Sequence, residues 1–235
     1  MQKSGRARRW WKSFLAFFWK TAVAAAATSI VLVLVLRWLA PPTTAFMLQQ
    51  RIAGIHVSYQ WVPINRISPY AALAVISSED QKFFDHWGFD LEAIADAIQE
   101  NDSRSSPRGA STISQQVAKN LFLWPGKSYL RKGIESYLTL LMELLWPKER
   151  ILEVYLNIAE LGRGVFGVEA ASRRFFGKSA SNLSMRQAAT LAAVLPSPRR
   201  LRADCPSEYV RHRTWQITRQ MNALGGREFL KAAGV

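Results

Sequence analysis

The sequence predicts a mostly α-helical domain behind a single N-terminal transmembrane helix. Three observations carry this. Residues 21–36, TAVAAAATSIVLVLVL, hold no charge, follow a basic stretch and are soon stopped by Pro41-Pro42. From about residue 66 onward, apolar residues recur at three- and four-residue spacing between caps and prolines, and strand signals are sparse. A hydrophobic share of 49% in 235 residues suffices for one core, while a single Cys excludes a disulfide framework and a cysteine-built zinc site.

The elements follow in order. Residues 1–20 are a basic tail. Residues 21–40 are about twenty residues long, which at 1.5 Å each crosses one hydrocarbon core of roughly 30 Å. Trp10, Trp11 and Trp19 flank the run on one side and Trp38 on the other, as an interfacial belt places them. Arg37 can snorkel to the interface. Six cations precede the run, which puts the N-terminus in the cytoplasm and the bulk of the chain outside. A cleaved signal peptide is the alternative, but Ala40 runs straight into Pro41-Pro42 without a clean small-x-small site. Residues 41–65 read as a linker and lead-in with a β-type stretch, IHVSYQWVPI, at 55–64, and 66–235 as the domain.

Within the domain, Pro69 opens an apolar helix ending in Glu79-Asp80, and LEAIADAIQE (91–100) is a short amphipathic helix. NDSRSSPRG (101–109) is rich in turn formers and reads as a mobile loop. Helices are expected from Ser111 to Phe122, from Leu130 to Trp146, along KERILEVYLNIAEL after Pro147, and from Val168 to Phe176 before Gly177. Ser184 with Gln187 forms a capping box for the next, and a last helix runs from Pro206 to Leu224.

The net charge of +14 is uneven: residues 1–78 carry nine cations and no acid. A polyanion partner is one reading of such a balance. Here the excess lies beside the apolar run, so a membrane is the expected partner. Nucleic acid is not, because no reading helix is evident.

Four segments could carry chemistry. In EDQKFFDHWGFD (79–90), Glu79 and Asp80 end an apolar helix, where a low-dielectric wall can raise a carboxyl towards a general base's range. Two acids there oppose the macrodipole, although a solvated helix end would look the same. In RGASTISQQVAKN (108–120), Ser111, Gln115 and Lys119 form one stripe at four-residue spacing, and Thr112, Gln116 and Asn120 a second. Two amide stripes with a lysine suit a sugar or phosphate, or else an exposed helix face. Lys127, Arg131 and Glu135 also stand four apart, as site residues or as a simple salt-bridge ladder. Glu153, Asn157 and Glu160 read as support or as the polar face of a packing helix. There is no G-x-S-x-G, P-loop, H-E-x-x-H, S-x-x-K or K-T-G motif.

Taken together, these segments resemble glycosyltransferase family 51, the peptidoglycan glycosyltransferases. The residues that carry the resemblance are Glu79-Asp80, Phe83, His86 and Gly88; Gly109, Ser111-Thr112, Gln115-Gln116 and Lys119-Asn120; Arg131-Lys132 and Glu135; and Lys148, Ile151-Leu152-Glu153 and Tyr155-Leu156-Asn157. It covers roughly residues 66–225, and with one membrane span and no transpeptidase motif the chain is similar to the family's monofunctional members. Ala110 departs where a second Gly is common, and Lys127 keeps charge without a bidentate fork.

The resemblance implies a lysozyme-like fold and polymerisation of lipid II into β-1,4 glycan strands, with inversion and release of undecaprenyl pyrophosphate. It implies Glu79 as catalytic base, with Glu135 as a second catalytic acid that orients a cation or substrate. Lys119, Lys127 and Arg131 would balance the pyrophosphate. Asp80, Phe83, His86, Ser111, Thr112, Gln115, Gln116 and Asn120 would complete the substrate site. No cofactor is required, with a divalent cation at the pyrophosphate left open, and no metal ligands are assigned. The implied partners are lipid II, the growing strand, the membrane and other cell-wall synthesis proteins; the implied place is the outer face of the bacterial inner membrane. A lysozyme-like cleaving enzyme and a non-catalytic cell-wall scaffold remain the alternatives.

Overall fold

The computed structural model describes residues 3–101, 111–126, 128–232 and 234. Of the mobile loop expected over 101–109, Asn101 instead ends a helix, and 102–109 lie outside the described residues, as does Lys127. The chain divides into two units, Met1–Leu39 and Ala40–Val235.

The first unit is one helix, α1 (Lys3–Leu36). Its stretch from Trp10 to Leu36, 27 residues with mean hydropathy 1.9, is long and apolar enough to cross a membrane. The basic tail is therefore continuous with the apolar run: no helix breaker separates them, and Lys and Arg are good helix formers. Beyond the helix end, the Arg37 guanidinium lies 5.3 Å from the Trp38 ring.

The second unit opens with α2 (Ala45–Ile52), capped by the Thr44 hydroxyl accepting from the Met47 N–H. Strand β1 (Ser58–Tyr59) and a 3-10 turn at Ile64–Arg66 lead to α3 (Pro69–Glu79), with Pro69 at its first position. Residues Ala71 to Ser77 are all buried, so α3 is apolar on every side and forms the centre of the core. Then come α4 (Leu91–Asn101), α5 (Ile113–Phe122), α6 (Tyr129–Leu145) and α7 (Lys148–Ile158). A hairpin of β2 (Glu160–Gly162) and β3 (Val165–Phe166) precedes α8 (Val168–Phe176). The last three helices are α9 (Met185–Val194), α10 (Glu208–Ala223) and α11 (Arg227–Ala232).

Two helical layers meet on α3. On one side α9 packs against it, and α10 covers both. Buried Ala188, Ala189, Ala192 and Ala193 let α9 approach closely. On the other side α5 packs between α6 and α7. The small sheet has order β1-β3-β2, with β1 parallel to β3 (Ser58 opposite Val165) and β2 antiparallel to it.

The helix expected along KERILEVYLNIAEL stops at Ile158, and Glu160–Gly162 is a strand instead. The pattern there is already alternating: Ala159 and Leu161 are buried, while Glu160 turns out to Gln50 and Arg199. Gly167 closes the hairpin at φ +83°, and a Cβ on it would stand 2.3 Å from the Asn157 carbonyl oxygen. Asn157 in turn clamps the lead-in, accepting from the Val62 N–H and donating to the Val62 carbonyl, both at 2.9 Å. Glu153 accepts from the Ile64 N–H at 3.0 Å. The polar face of α7 is thus a fastening for the 62–64 segment.

Candidate active site

Glu79 is the last residue of α3, and its carboxylate opens on a cleft of about 360 Å³ shared with Ser111, Thr112 and Arg213. Helix α5 crosses behind it. The Gln116 amide donates to Glu79 Oε2 at 2.8 Å, and the buried Tyr155 hydroxyl donates to Gln116 Oε1 at 3.1 Å. The amide is held at both ends, so one carboxylate oxygen is fixed. Burial pushes the Glu79 pKa above the usual carboxylate range; the Gln116 bond, Arg213 and Lys119 pull back against it.

Lys119 lies one turn further along α5, in a second cleft of about 490 Å³ with Gln116, Asn120, Phe46, Arg199 and Arg200. Its ammonium is 5.9 Å from the Phe46 ring. Burial lowers its pKa, and Glu135 opposes that most strongly. Glu135 itself is buried and fully engaged, with Arg131 Nη1 and Lys132 Nζ each at 2.6 Å. Lys119, Arg131 and Lys132 around one carboxylate leave this region cationic.

The stripes expected on a helix beginning at Ser111 are changed by where α5 begins. Thr112 is its N-cap, in a reciprocal capping box with Gln115. Ser111 is exposed and stands outside the helix, whereas Gln115 is buried and turned back on the cap. The Thr112 hydroxyl also donates to the Gly88 carbonyl at 2.7 Å.

Asp80, Phe83 and His86 form a brace beneath this end of α5. Asp80 Oδ2 accepts from the Ile113 N–H at 3.0 Å, and Oδ1 pairs with His86 Nε2 at 2.9 Å. The Gly88 N–H donates to His86 Nδ1 at 3.1 Å, which assigns the ring proton to Nε2. Phe83 is fully buried, with the Lys148 ammonium 4.7 Å from its ring. Gly88 has φ +82° and sits tightly on α6: a Cβ there would come 2.7 Å from Thr139 Cγ2.

The structure therefore brings Glu79, Asp80, Ser111 and Thr112 to the wall of the first cleft, and Gln116, Lys119 and Asn120 to the wall of the second. Arg131 and Glu135 lie within electrostatic reach of Lys119. Asp80, Phe83, His86, Thr112 and Gln115 are joined to one another and to the core. Sequence reasoning missed Arg213, Tyr155, Phe46, Arg199 and Arg200. Arg213 had a signal, since Arg213, Gln216 and Gln220 make a polar stripe on α10 of the kind recognised on α5. Tyr155 stood among the residues that carry the family resemblance, but nothing in the local pattern gave it a role at the site. Among the described residues, no three His, Cys, Asp or Glu side chains converge as a metal site.

The Transglycosylase family profile matches residues 48–222. A protein of Pseudomonas syringae pv. syringae (strain B728a) is 53% identical over 212 residues, covering 88% of this chain and 90% of its own. One of Pseudomonas putida (strain W619) is 54% identical over 221 residues, 92% of each chain. A third, of Pseudomonas putida (strain F1), is 55% identical over 210 residues, 87% of this chain and 89% of its own. Each bears the name biosynthetic peptidoglycan transglycosylase. The matched stretch runs from the lead-in helix through Glu79, the α5 cap and Lys119 to α10, and on that evidence this chain belongs to the transglycosylase family.

Proposed function

We infer that this protein is a peptidoglycan glycosyltransferase that elongates β-1,4 glycan strands from lipid II and releases undecaprenyl pyrophosphate. The observation that carries the reading is the pairing, across the Gln116 amide, of a carboxylate whose pKa burial raises with a lysine in a cationic surround. Relatives named for this activity, alike over most of their length, support it.

The acceptor's 4-hydroxyl gives its proton to Glu79 while its oxygen forms a bond to C1 of the donor sugar. The C1–O bond to pyrophosphate breaks, and the electron pair leaves with the phosphate. One displacement turns an α-linked donor into a β-linked product. A glycosidase must protonate a poor alkoxide leaving group and so carries a second catalytic carboxyl. Pyrophosphate is already a good leaving group and needs counter-charge, which Lys119 supplies with Arg131, Lys132 and Lys127. Glu135 orients Arg131 and Lys132, and Ser111 and Asn120 hold sugar or phosphate. Because Arg131 and Lys132 occupy both Glu135 oxygens, we assign the counter-charge to side chains; unchanged turnover in EDTA is the expected result.

The apolar α1 supports membrane anchoring beside a substrate that stays in the bilayer. The cation excess ahead of the apolar stretch supports a cytoplasmic N-terminus and a domain on the outer face of the inner membrane.

The test is labelled lipid II with the detergent-purified chain, beside Glu79→Gln. A product ladder that lysozyme digests, reduced about 10³-fold or more in the variant, is expected. Cleavage of preformed polymer without use of lipid II would replace this reading by the hydrolase. A ladder from both proteins would keep the polymerase and remove Glu79 as its base.

A further inference from the structure

The Glu79 cleft does not end at Arg213. Arg213 and Gln220, on one face of α10, also line a groove of about 440 Å³ completed by Trp215, Gln216, Arg219 and Ala223. The described lining of this groove holds two guanidinium groups and no acid. The far wall of the Glu79 cleft leans the other way, with Asp90, Glu92 and Asp96 of the α4 region against one cation, Lys82, which pairs with Glu92. An anionic group attached to a substrate at Glu79 is thus repelled from α4 and drawn along α10.

Three features of the groove are unspent. Gln220 Oε1 is buried and accepts no hydrogen bond among the described residues. An orphaned buried acceptor is unfavourable until a donor reaches it. Arg219 lies 4.8 Å from the Trp215 ring, which fixes its plane, and no carboxylate pairs with it among the described residues. Among the described residues Arg213 makes only long hydrogen bonds, to the Ser78 carbonyl and Gln216 Oε1, both at 3.5 Å, besides its electrostatic pull on Glu79. Trp215 itself is 55% exposed, with His212 on its other side at 6.0 Å.

The groove therefore asks for one ligand carrying both an N–H donor and an anion, with apolar surface between them. A pyrophosphate offers no donor. A peptide with free carboxylates offers all three: amide N–H for Gln220, carboxylate for the Arg219 fork, and aliphatic carbon for Trp215. Resting on the glycosyltransferase reading, we propose that the α10 groove at Trp215, Arg219 and Gln220 binds the acidic peptide carried by the acceptor lipid II while its sugar lies at Glu79. The groove makes α10 a specificity element that reads the peptide state of the incoming monomer.

The experiment compares two substrates in detergent with the full chain: lipid II bearing its complete peptide, and an analogue whose lactyl group ends in a simple amide. Wild type should show a KM for the complete substrate about ten-fold lower, as one charge-assisted bond at a partly exposed site gives. Arg219→Gln, which lies outside the Glu79 cleft, should bring the two KM values together with kcat for the complete substrate within about two-fold, and Gln220→Met should bring the KM values together as well. Arg219 is exposed, so Arg219→Gln is expected to keep the wild-type melting temperature. Equal KM values in wild type overturn the proposal, as does a preference that survives both substitutions. A KM increase of the same size on both substrates overturns it too, and assigns the groove to the pyrophosphate. Failure of wild type to polymerise either substrate refutes the glycosyltransferase reading instead.

Discussion

Asp80→Asn tests whether the acid beside Glu79 is a ligand for substrate or a brace for α5. The wild-type carboxylate receives two donors, the Ile113 N–H at 3.0 Å and His86 Nε2–H at 2.9 Å. Its side chain is 2% exposed, so water does not replace either. Asparagine has one acceptor oxygen and one amide nitrogen. Whichever way the amide is turned, its NH₂ faces a buried donor. Moving the His86 proton to Nδ1 only transfers the clash to the Gly88 N–H, which Nδ1 accepts at 3.1 Å. One unsatisfied buried donor costs about 1–3 kcal/mol. Losing a negative charge at the first turn of α5 adds about 0.3–1 kcal/mol. The expected total is about 1–4 kcal/mol, centred on about 2–3. For a unit spanning Ala40–Val235, that lowers the melting midpoint by about 5–10 °C. The assay is thermal unfolding of the full chain in detergent, followed by circular dichroism. Activity should fall as well, even at temperatures where the variant is folded, because α5, whose first turn Asp80 braces, carries both Gln116 and Lys119. A midpoint within about 1 °C of wild type would refute the brace and return Asp80 to the list of substrate ligands.

Further outcomes follow from the same geometry. Because burial raises the Glu79 pKa, the acidic limb of the rate profile should lie above the ordinary carboxylate range; because burial lowers that of Lys119, the alkaline limb should lie below the ordinary lysine value. A carboxyl with a raised folded pKa contributes stability that is full below its unfolded value and lost as pH rises through the folded one. Glu79→Gln should therefore be more stable than wild type near neutral pH, with the difference vanishing below the ordinary carboxylate range, measured by urea unfolding at several pH values. Gly167→Ala places a methyl against the Asn157 carbonyl at positive φ and should cost about 2–4 kcal/mol in the same assay. Asn157→Ala removes both bonds to Val62 and should cost about 2–3 kcal/mol, read as earlier proteolysis of the lead-in segment.

Helix positions were legible because their signals are local. Pro69 at a first turn, the Ser184–Gln187 box and the Gly177 stop each act within a few residues, and each stands where the pattern puts it. The same local rule held at α5 but was obscured by a competing one. Thr112 and Gln115 have capping-box spacing, yet they also fall on stripes at four-residue intervals, which suggest a ligand face. The hairpin after α7 was harder, because the alternation of Ala159, Glu160 and Leu161 is shorter than any window that separates strand from helix.

The site was legible in its reactive members and obscure in its supports, for one physical reason. A carboxylate at the end of an apolar helix and a lysine on a polar stripe announce themselves by residue type and spacing. What a neighbouring polar residue does depends on partners far away in the chain. Gln116 and Glu79 are 37 residues apart, Thr112 and Gly88 are 24, and Ile113 and Asp80 are 33. Periodicity along a single helix contains no information about those meetings. It therefore predicts that a stripe is polar without distinguishing a face that holds substrate from one that holds the protein together. In neighbouring clefts that keep a carboxylate and a lysine partly desolvated, both kinds must be present. A Glu79 that is to remove a proton needs its pKa raised by burial, and a buried carboxylate stays in place only if fixed donors surround it. The Tyr155–Gln116 pair holds the base itself, while Asp80, His86 and the Thr112 cap hold the helix from which Gln116 projects. Polar residues supporting the reactive pair outnumber the pair itself because each desolvated charge needs several oriented dipoles around it, and each of those dipoles needs an anchor of its own.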